Sequence, residues 1–474
     1  MAGAGMGLLG GWWLLLKKKV NLAKATLFAV VIFGILSIVI MVPGSIPDEV
    51  RHIATAYRYS NVLLLKPYAA EEGGLLARAG DVPLDLYARY TTPYLGAYQE
   101  IAADWDWFYS SQQQALITTE GDNVPSLFIS YLPAAIGMAL ARLMHLGKWP
   151  MIYLGRLCNL AAFAAMVYWA VKLTPVKKHL FCLLGLIPAC VQAAGSYSYD
   201  APTLGLTFLV LAGCLRLIFT TPAIRWREWL LCCAAAFLLF PCKLIYSSVF
   251  LLLILVPREK AGGMPKKLLF LASVIISGLV GFLCSNFEQV LVYLHSLGTP
   301  SRANDITAVE VYSLGIIFTR PLDVLQMMIR SIRDNFTFYW EGAFIARLTR
   351  FDLRLAWGLV LLIAYLLAGM QDEQDTLVLS GRQRLTCLAA FLLTATAAFL
   401  IMIDYTPLGS QSILGVQGRY FTPVLPLLLL ALGNAQLRIN DSVKRWLTVL
   451  IIACNSSVLG DLLHWIVLNQ INGI

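Results

Sequence analysis

Four sets of polar residues stand beside or within apolar segments, and each carries residue types that can do chemistry. The run SIPDEVRH at 45–52 sets two adjacent carboxylates, Asp48 and Glu49, beside Arg51 and His52. Ser45, three residues before Asp48, predicts a helix start that would put Asp48 and His52 on one face at i, i+4. Adjacent carboxylates at a membrane surface can supply one general base, although acids in a first turn also complement a helix N-terminus. The run GSYSYDAP at 195–202 offers Asp200, with Tyr197 beside it, either to the same cleft or as N-cap of the helix that follows. Lys243 sits in the apolar stretch FLLFPCKLIY, where a cation held at depth suits an anionic head group. The run GVQGRYFTP at 415–423 contributes Gln417, Arg419 and Tyr420. Its glycines permit close backbone approach, and Arg419 offers a planar fork to phosphate. Asp104-Trp105-Asp106 is a weaker pattern, a carboxylate pair of the type that can hold a divalent ion, but the aromatic residues around it read more readily as an interfacial anchor. A bound metal is not favoured, and no cofactor is expected to be obligatory.

Composition dictates the frame that must position these runs. Of 474 residues, 59% are hydrophobic and only 13% are charged, against roughly 25% charged in soluble chains. The mean hydropathy is +0.71. A soluble enzyme, a disordered chain and a secreted disulfide scaffold are excluded. Apolar runs such as Ala25–Val42 and Leu355–Met370 recur along the length and require an all-α polytopic membrane protein. The formal charge of +9 then concerns orientation first, and anionic lipid or a phosphate-bearing substrate second, not nucleic acid. The ten cysteines all lie in or beside apolar segments, with neither a disulfide framework nor metal-ligand spacing.

Lysine and arginine clusters orient the chain. Leu8–Leu16 reads as an interfacial anchor, with Lys17, Lys18, Lys19 and Lys24 holding a cytoplasmic N-terminus before the first span. About eleven membrane segments are predicted. Three external loops follow, at about 45–150, with a juxtamembrane helix at 127–146, at about 285–354 and at about 404–420. The stretch 229–256 has basic residues on both flanks and is broken at Pro241-Cys242-Lys243. Two full spans would need roughly 40 residues. Two half-length helices meeting at Lys243 are therefore predicted, and such a break implies a cavity.

The runs PDEVRH, YLPAAIGMALARL, IYLGRLCNL, IPACVQAAGSYSYDA and GVQGRYFTPVLP together resemble the bacterial membrane family known as domain of unknown function 2142, over about residues 25–465. The resemblance implies one GT-C-like transmembrane domain over 1–474, related to glycosyltransferases that use polyprenyl-phosphate sugars. It implies Asp48, just after the first span, as catalytic base, with Glu49 as alternative. It implies Asp200 as a second external acid, and Lys243 and Arg419 as holders of the lipid phosphate. His52, Arg51, Tyr197, Gln417 and Tyr420 are expected to line the substrate site with them. The expected activity is inverting transfer of a sugar from a polyprenyl-phosphate donor to a cell-envelope glycan or lipid acceptor. It would take place on the outer face of the bacterial cytoplasmic membrane, among membrane lipids. A transporter or flippase for a lipid-linked glycan is the rival, because broken helices and intramembrane cations suit it too.

Overall fold

A computed structural model describes residues 2–18, 20–46, 48–70, 74–82, 84, 95–119, 128–296, 301–303, 309–340, 342, 355–372, 377–433 and 438–471. These residues are mostly helical. Helix α1 (Ala2–Gly11) continues as a π-helical stretch, Trp12–Lys17, before α2 (Leu22–Ile40). Next come α3 (Glu49–Leu63), α4 (Leu95–Ala103) and α5 (Phe128–Leu143), with the antiparallel pair β1 (Leu75–Arg78) and β2 (Leu116–Thr119). They form a layer with its own core, in which Ile53 and Tyr57 of α3 meet Leu75 of β1 and Met138 of α5. Gly137 lets α5 lie close on the following helix, since a Cβ there would stand 2.6 Å from the Leu154 carbonyl oxygen. The juxtamembrane helix expected at 127–146 is thus α5, packed into the loop layer.

The bundle continues with α6 (Lys148–Leu173), α7 (Lys178–Gly185), α8 (Pro188–Ala194), α9 (Asp200–Phe219) and α10 (Trp226–Cys242). A 3₁₀ helix, Leu244–Leu255, leads to α11 (Met264–Ser296), which is bent at Asn286. Then follow α12 (Ile316–Thr319), α13 (Pro321–Asp334), α14 (Phe336–Trp340), α15 (Leu355–Ala368), α16 (Gly381–Ile401), α17 (Leu425–Leu432) and α18 (Asp441–Ile471). Among the described residues six elements are long and apolar enough to cross a membrane: α2, α6, α9, the first part of α11, α16 with its C-terminal extension, and α18. The chain is a helical membrane protein. The short helices α7 and α8 lie at its centre, where Phe181, Leu184 and Ile187 are wholly buried. Pro188 begins α8 and cannot donate to the preceding turn, so the chain breaks there and re-aims toward the 195–199 turn.

One expectation holds with a change of winding, and one is corrected. The stretch 229–256 forms two short helices meeting at Lys243, as predicted, but the second is wound as a 3₁₀ helix. Helix α10 has 17 residues and the 3₁₀ helix has 12. At 1.5 and 2.0 Å rise per residue they extend about 25 and 24 Å. The tighter winding of the 3₁₀ helix lets twelve residues do the work of sixteen, and Lys243 becomes the apex of a deep hairpin. The segment Leu8–Leu16 is the corrected one: it does not lie as a flat anchor. Gly7 packs on Ala453 and Ser456, Gly11 on Val449, and Arg445 Nη1 donates to the Leu15 carbonyl at 3.3 Å. Partner numbers fall as α1 advances, so it runs antiparallel along α18. Small residues allow this close approach.

Candidate functional site

Three elements converge where the bundle meets the loop layer. Asp200 opens α9, held there by the 195–199 turn, whose Ser196 and Ser198 carbonyls accept from Asn159 Nδ2 on α6 at 2.7 and 3.3 Å. Lys243 arrives from the hairpin apex and donates to Asp200 Oδ1 at 2.8 Å. Arg419 arrives from the 3₁₀ turn before α17, its Nε 3.4 Å from Asp200 Oδ2. The Tyr246 hydroxyl donates to the Tyr420 carbonyl at 3.0 Å and so ties hairpin to turn. The Lys243 ammonium lies 4.7 Å from the Tyr199 ring centre and 4.5 Å from that of Tyr420, a cation seated between two aromatic faces. Asp200, Tyr246 and Arg419 line a half-open cleft with about 480 Å³ of empty space, its mouth included.

The loop layer supplies the other wall. His52 on α3 meets the Tyr199 ring edge-on at 5.1 Å, and its Nδ1 shares a 2.6 Å hydrogen bond with the Tyr131 hydroxyl of α5. Asp48 lies one turn earlier, its carbonyl accepting the His52 N–H at 3.1 Å. Its charge is felt at both His52 and Arg419. The capping arrangement expected from Ser45 is not made, because the Ser45 hydroxyl donates to the Val42 carbonyl instead. Asp48 is the N-cap residue, in left-handed conformation at φ +61°, and its side chain makes no cap bond. An exposed carboxylate therefore stands within electrostatic reach of Arg419.

Glu49 is corrected as the alternative base. It is 0% exposed and accepts from Arg156 Nε and Nη2 at 2.9 and 2.7 Å, from the Gly44 N–H at 2.9 Å and from the Tyr197 N–H at 3.2 Å. Arg156 also donates to the carbonyls of Met41 and Val42 at the end of α2. With every lone pair engaged, Glu49 is a fastener between α2, α3 and α6. Tyr197 is corrected likewise: it is buried, and its hydroxyl donates to the Ile152 carbonyl at 2.9 Å. Arg51 is exposed on α3, and Gln417 is half-buried, its carbonyl closing the turn under Tyr420. Asp104 pairs with Lys148 at 2.7 Å, whereas Asp106 accepts from Gln113 at 3.3 Å, so the two carboxylates serve different partners. Among the described residues no group of three potential metal ligands occurs. Tyr199 and Tyr131 join the site unannounced by charge or motif. Tyr199 lies in the quoted GSYSYDAP run and Tyr131 in YLPAAIGMALARL.

A family described as predicted membrane protein, domain of unknown function 2142, matches residues 31–428. The chain belongs to this family. No curated protein and no solved structure matches it. In this member of the 2142 family, the matched region contains the whole Asp48–Asp200–Lys243–Arg419 cluster and the Glu49–Arg156 fastener beneath it.

Burial lowers the His52 imidazole from 6.5 to about 4, against the pull of Asp200, Asp48 and Glu49, which favour its charged form. His52 is thus neutral at pH 7. Between pH 6.5 and 4 the unfolded chain binds a proton that the folded chain refuses. Stability is therefore full above about pH 6.5 and falls toward pH 4, by ~1–3 kcal/mol after allowance for solvent screening. Thermal unfolding followed from pH 7 to 4.5 is expected to show this slope in the wild type and a flatter one in His52→Asn. Parallel slopes would place the titration elsewhere.

Proposed function

We propose that the chain is a membrane glycosyltransferase of GT-C type, moving a sugar from a polyprenyl-phosphate donor to an envelope glycan or lipid acceptor at the outer face of the bacterial cytoplasmic membrane. The observation that carries the reading is the convergence of Lys243 and Arg419 on Asp200 beside the exposed Asp48. Asp48 would take the proton from an acceptor hydroxyl as that oxygen attacks the anomeric carbon. The bond from that carbon to the phosphate oxygen breaks, and its electron pair leaves on the phosphate. Lys243 and Arg419 would offset the charge that gathers there. One base suffices for direct displacement with inversion, unlike the two carboxylates of a retaining hydrolase.

A lipid tail has somewhere to go. A groove with about 1180 Å³ of empty volume runs between α6, α9, α10 and the 3₁₀ helix, lined by Trp169, Leu206, Val210, Leu231, Leu238 and Phe250. Leu238 precedes Lys243 by five residues, about 8 Å along a helix, so a chain in this groove could deliver its phosphate to the apex. The opposite end of the bundle is fastened. Lys177 and Lys444 both donate to the Met370 carbonyl, at 2.8 and 3.0 Å, and His179 lies 3.2 Å from Asp441. Such ties at that end suit a transferase better than the rival flippase.

Proteoliposomes given radiolabelled polyprenyl-phosphate sugar are expected to form a new glycosidic product. A sugar that crosses the bilayer still attached to its first lipid would establish the flippase instead. Lys243→Gln removes one charge-assisted contact to phosphate and is expected to raise the donor KM by ~10-fold or more, equivalent to the 1.5–3 kcal/mol of such a bond. An unchanged KM would remove Lys243 from the donor site.

A further inference from the structure

A second cationic centre lies inside the loop layer, away from the Asp200 cleft. Arg142, in the last turn of α5, is 4% exposed, and its guanidinium stacks 4.4 Å from the Tyr57 ring centre. Its Nη1 donates to the Ser60 hydroxyl at 2.6 Å, while Nε and Nη2 are buried with no partner among the described residues. Arg78, at the end of β1, is 2% exposed. Two of its nitrogens bind Asp81, at 2.7 and 2.9 Å, and its Nη1 is likewise buried without a partner. The two arginines are linked through Tyr57, whose hydroxyl accepts the Arg78 backbone N–H at 3.0 Å and donates to Asp81 at 2.6 Å. Lys66, just after α3, stands half-buried nearby, and burial together with the charges of Arg142 and Arg78 lowers its pKa.

Asp81 is engaged by Arg78 and Tyr57 and, though its charge reaches Arg142, makes no hydrogen bond to it; no described acid does. A buried guanidinium normally satisfies its N–H groups or is matched by an anion, because leaving both undone is costly. Its planar fork is shaped for two oxygens of one acid group. Three nitrogens on two buried arginines, with no partner among the described residues and with the charge of Lys66 within reach, are therefore placed to hold an acid group.

We propose that Arg142, Arg78 and Lys66 form an oxyanion site in the loop layer, taking a carboxylate or phosphate group. It goes beyond the transferase reading and stands or falls separately, because its test is binding. An acidic substituent on a glycan and free phosphate share this chemistry, and the experiment tells them apart.

The full-length protein in detergent is heated in sodium phosphate, in methyl glucuronide or in sodium chloride at equal ionic strength. Saturable stabilisation by phosphate, by glucuronide or by both is expected over chloride, and the pattern identifies the acid that binds. Arg142→Gln is expected to abolish it. Lys66→Gln, at a half-buried position where folding is not at stake, is expected to weaken apparent affinity by ~3–10-fold, the loss of one charged contact. Lys243→Gln in the cleft is expected to leave it intact. Stabilisation no greater than in chloride overturns the proposal. So does stabilisation retained in both Arg142→Gln and Lys66→Gln, or lost only in Lys243→Gln, which would put the anion in the cleft.

Discussion

Asp48→Asn is expected to lower sugar transfer by at least ~100-fold while leaving donor binding in place, the lower end of what a positioned general base contributes. Asparagine preserves size and tolerates the left-handed conformation, so the change isolates the loss of the proton acceptor. A companion substitution separates chemistry from folding. A side chain held at φ +61° stores strain that glycine does not. Asp48→Gly is therefore expected to raise stability by ~1 kcal/mol while losing transfer just as completely. Single-turnover transfer and thermal unfolding, measured on the same preparations, give both readouts. Asp48→Asn turning over near the wild-type rate would end the assignment. Glu49 could not be its substitute, being enclosed by Arg156.

The convergence of Asp200, Lys243 and Arg419 is legible in sequence because polar groups are expensive within an apolar chain, and each interrupts or ends an apolar run. Helix positions follow from the same contrast, as α2, α6, α9 and α16 lie close to where hydropathy and basic clusters predict spans. Three features are not legible in that way. The 3₁₀ winding of Leu244–Leu255 leaves no mark in the largely apolar run LIYSSVFLLLIL, whose composition suits either winding. The course of α1 depends on Gly7 and Gly11, four residues apart, which is a packing signal of small residues rather than of hydropathy. The division of labour between Asp48 and Glu49 is the third. Adjacent carboxylates look alike in a sequence, and what distinguishes them is an arginine 107 positions away on α6. The IYLGRLCNL run contains that arginine, but a lone Arg within a span does not announce its partner.

That arginine should matter more to folding than any other single side chain described. Arg156 and Glu49 are both 0% exposed and joined by two bonds. Removing one partner of such a pair leaves a naked buried charge, which typically costs ~3–5 kcal/mol. Arg156→Met is expected to destabilise by that amount, and Glu49→Leu by a similar amount. The double variant is the decisive one. If the cost is chiefly the orphaned charge, replacing both partners should recover at least ~1 kcal/mol relative to either single change, since apolar pairs of similar volume can replace buried ion pairs. Recovery should stop short of wild type, because the Gly44 and Tyr197 N–H groups and the Met41 and Val42 carbonyls would all lose a partner. Thermal unfolding of the four proteins in one detergent measures the cycle. The transfer assay adds a prediction that stability alone does not make. The fastener sets where α3 begins, and α3 begins at the residue after Asp48. The double variant, even where folded, should therefore lose turnover with little change in donor affinity, because Lys243 and Arg419 are held by other elements. Single changes within ~0.5 kcal/mol of wild type would show that the pair is dispensable, and with it the account of how Asp48 is aimed.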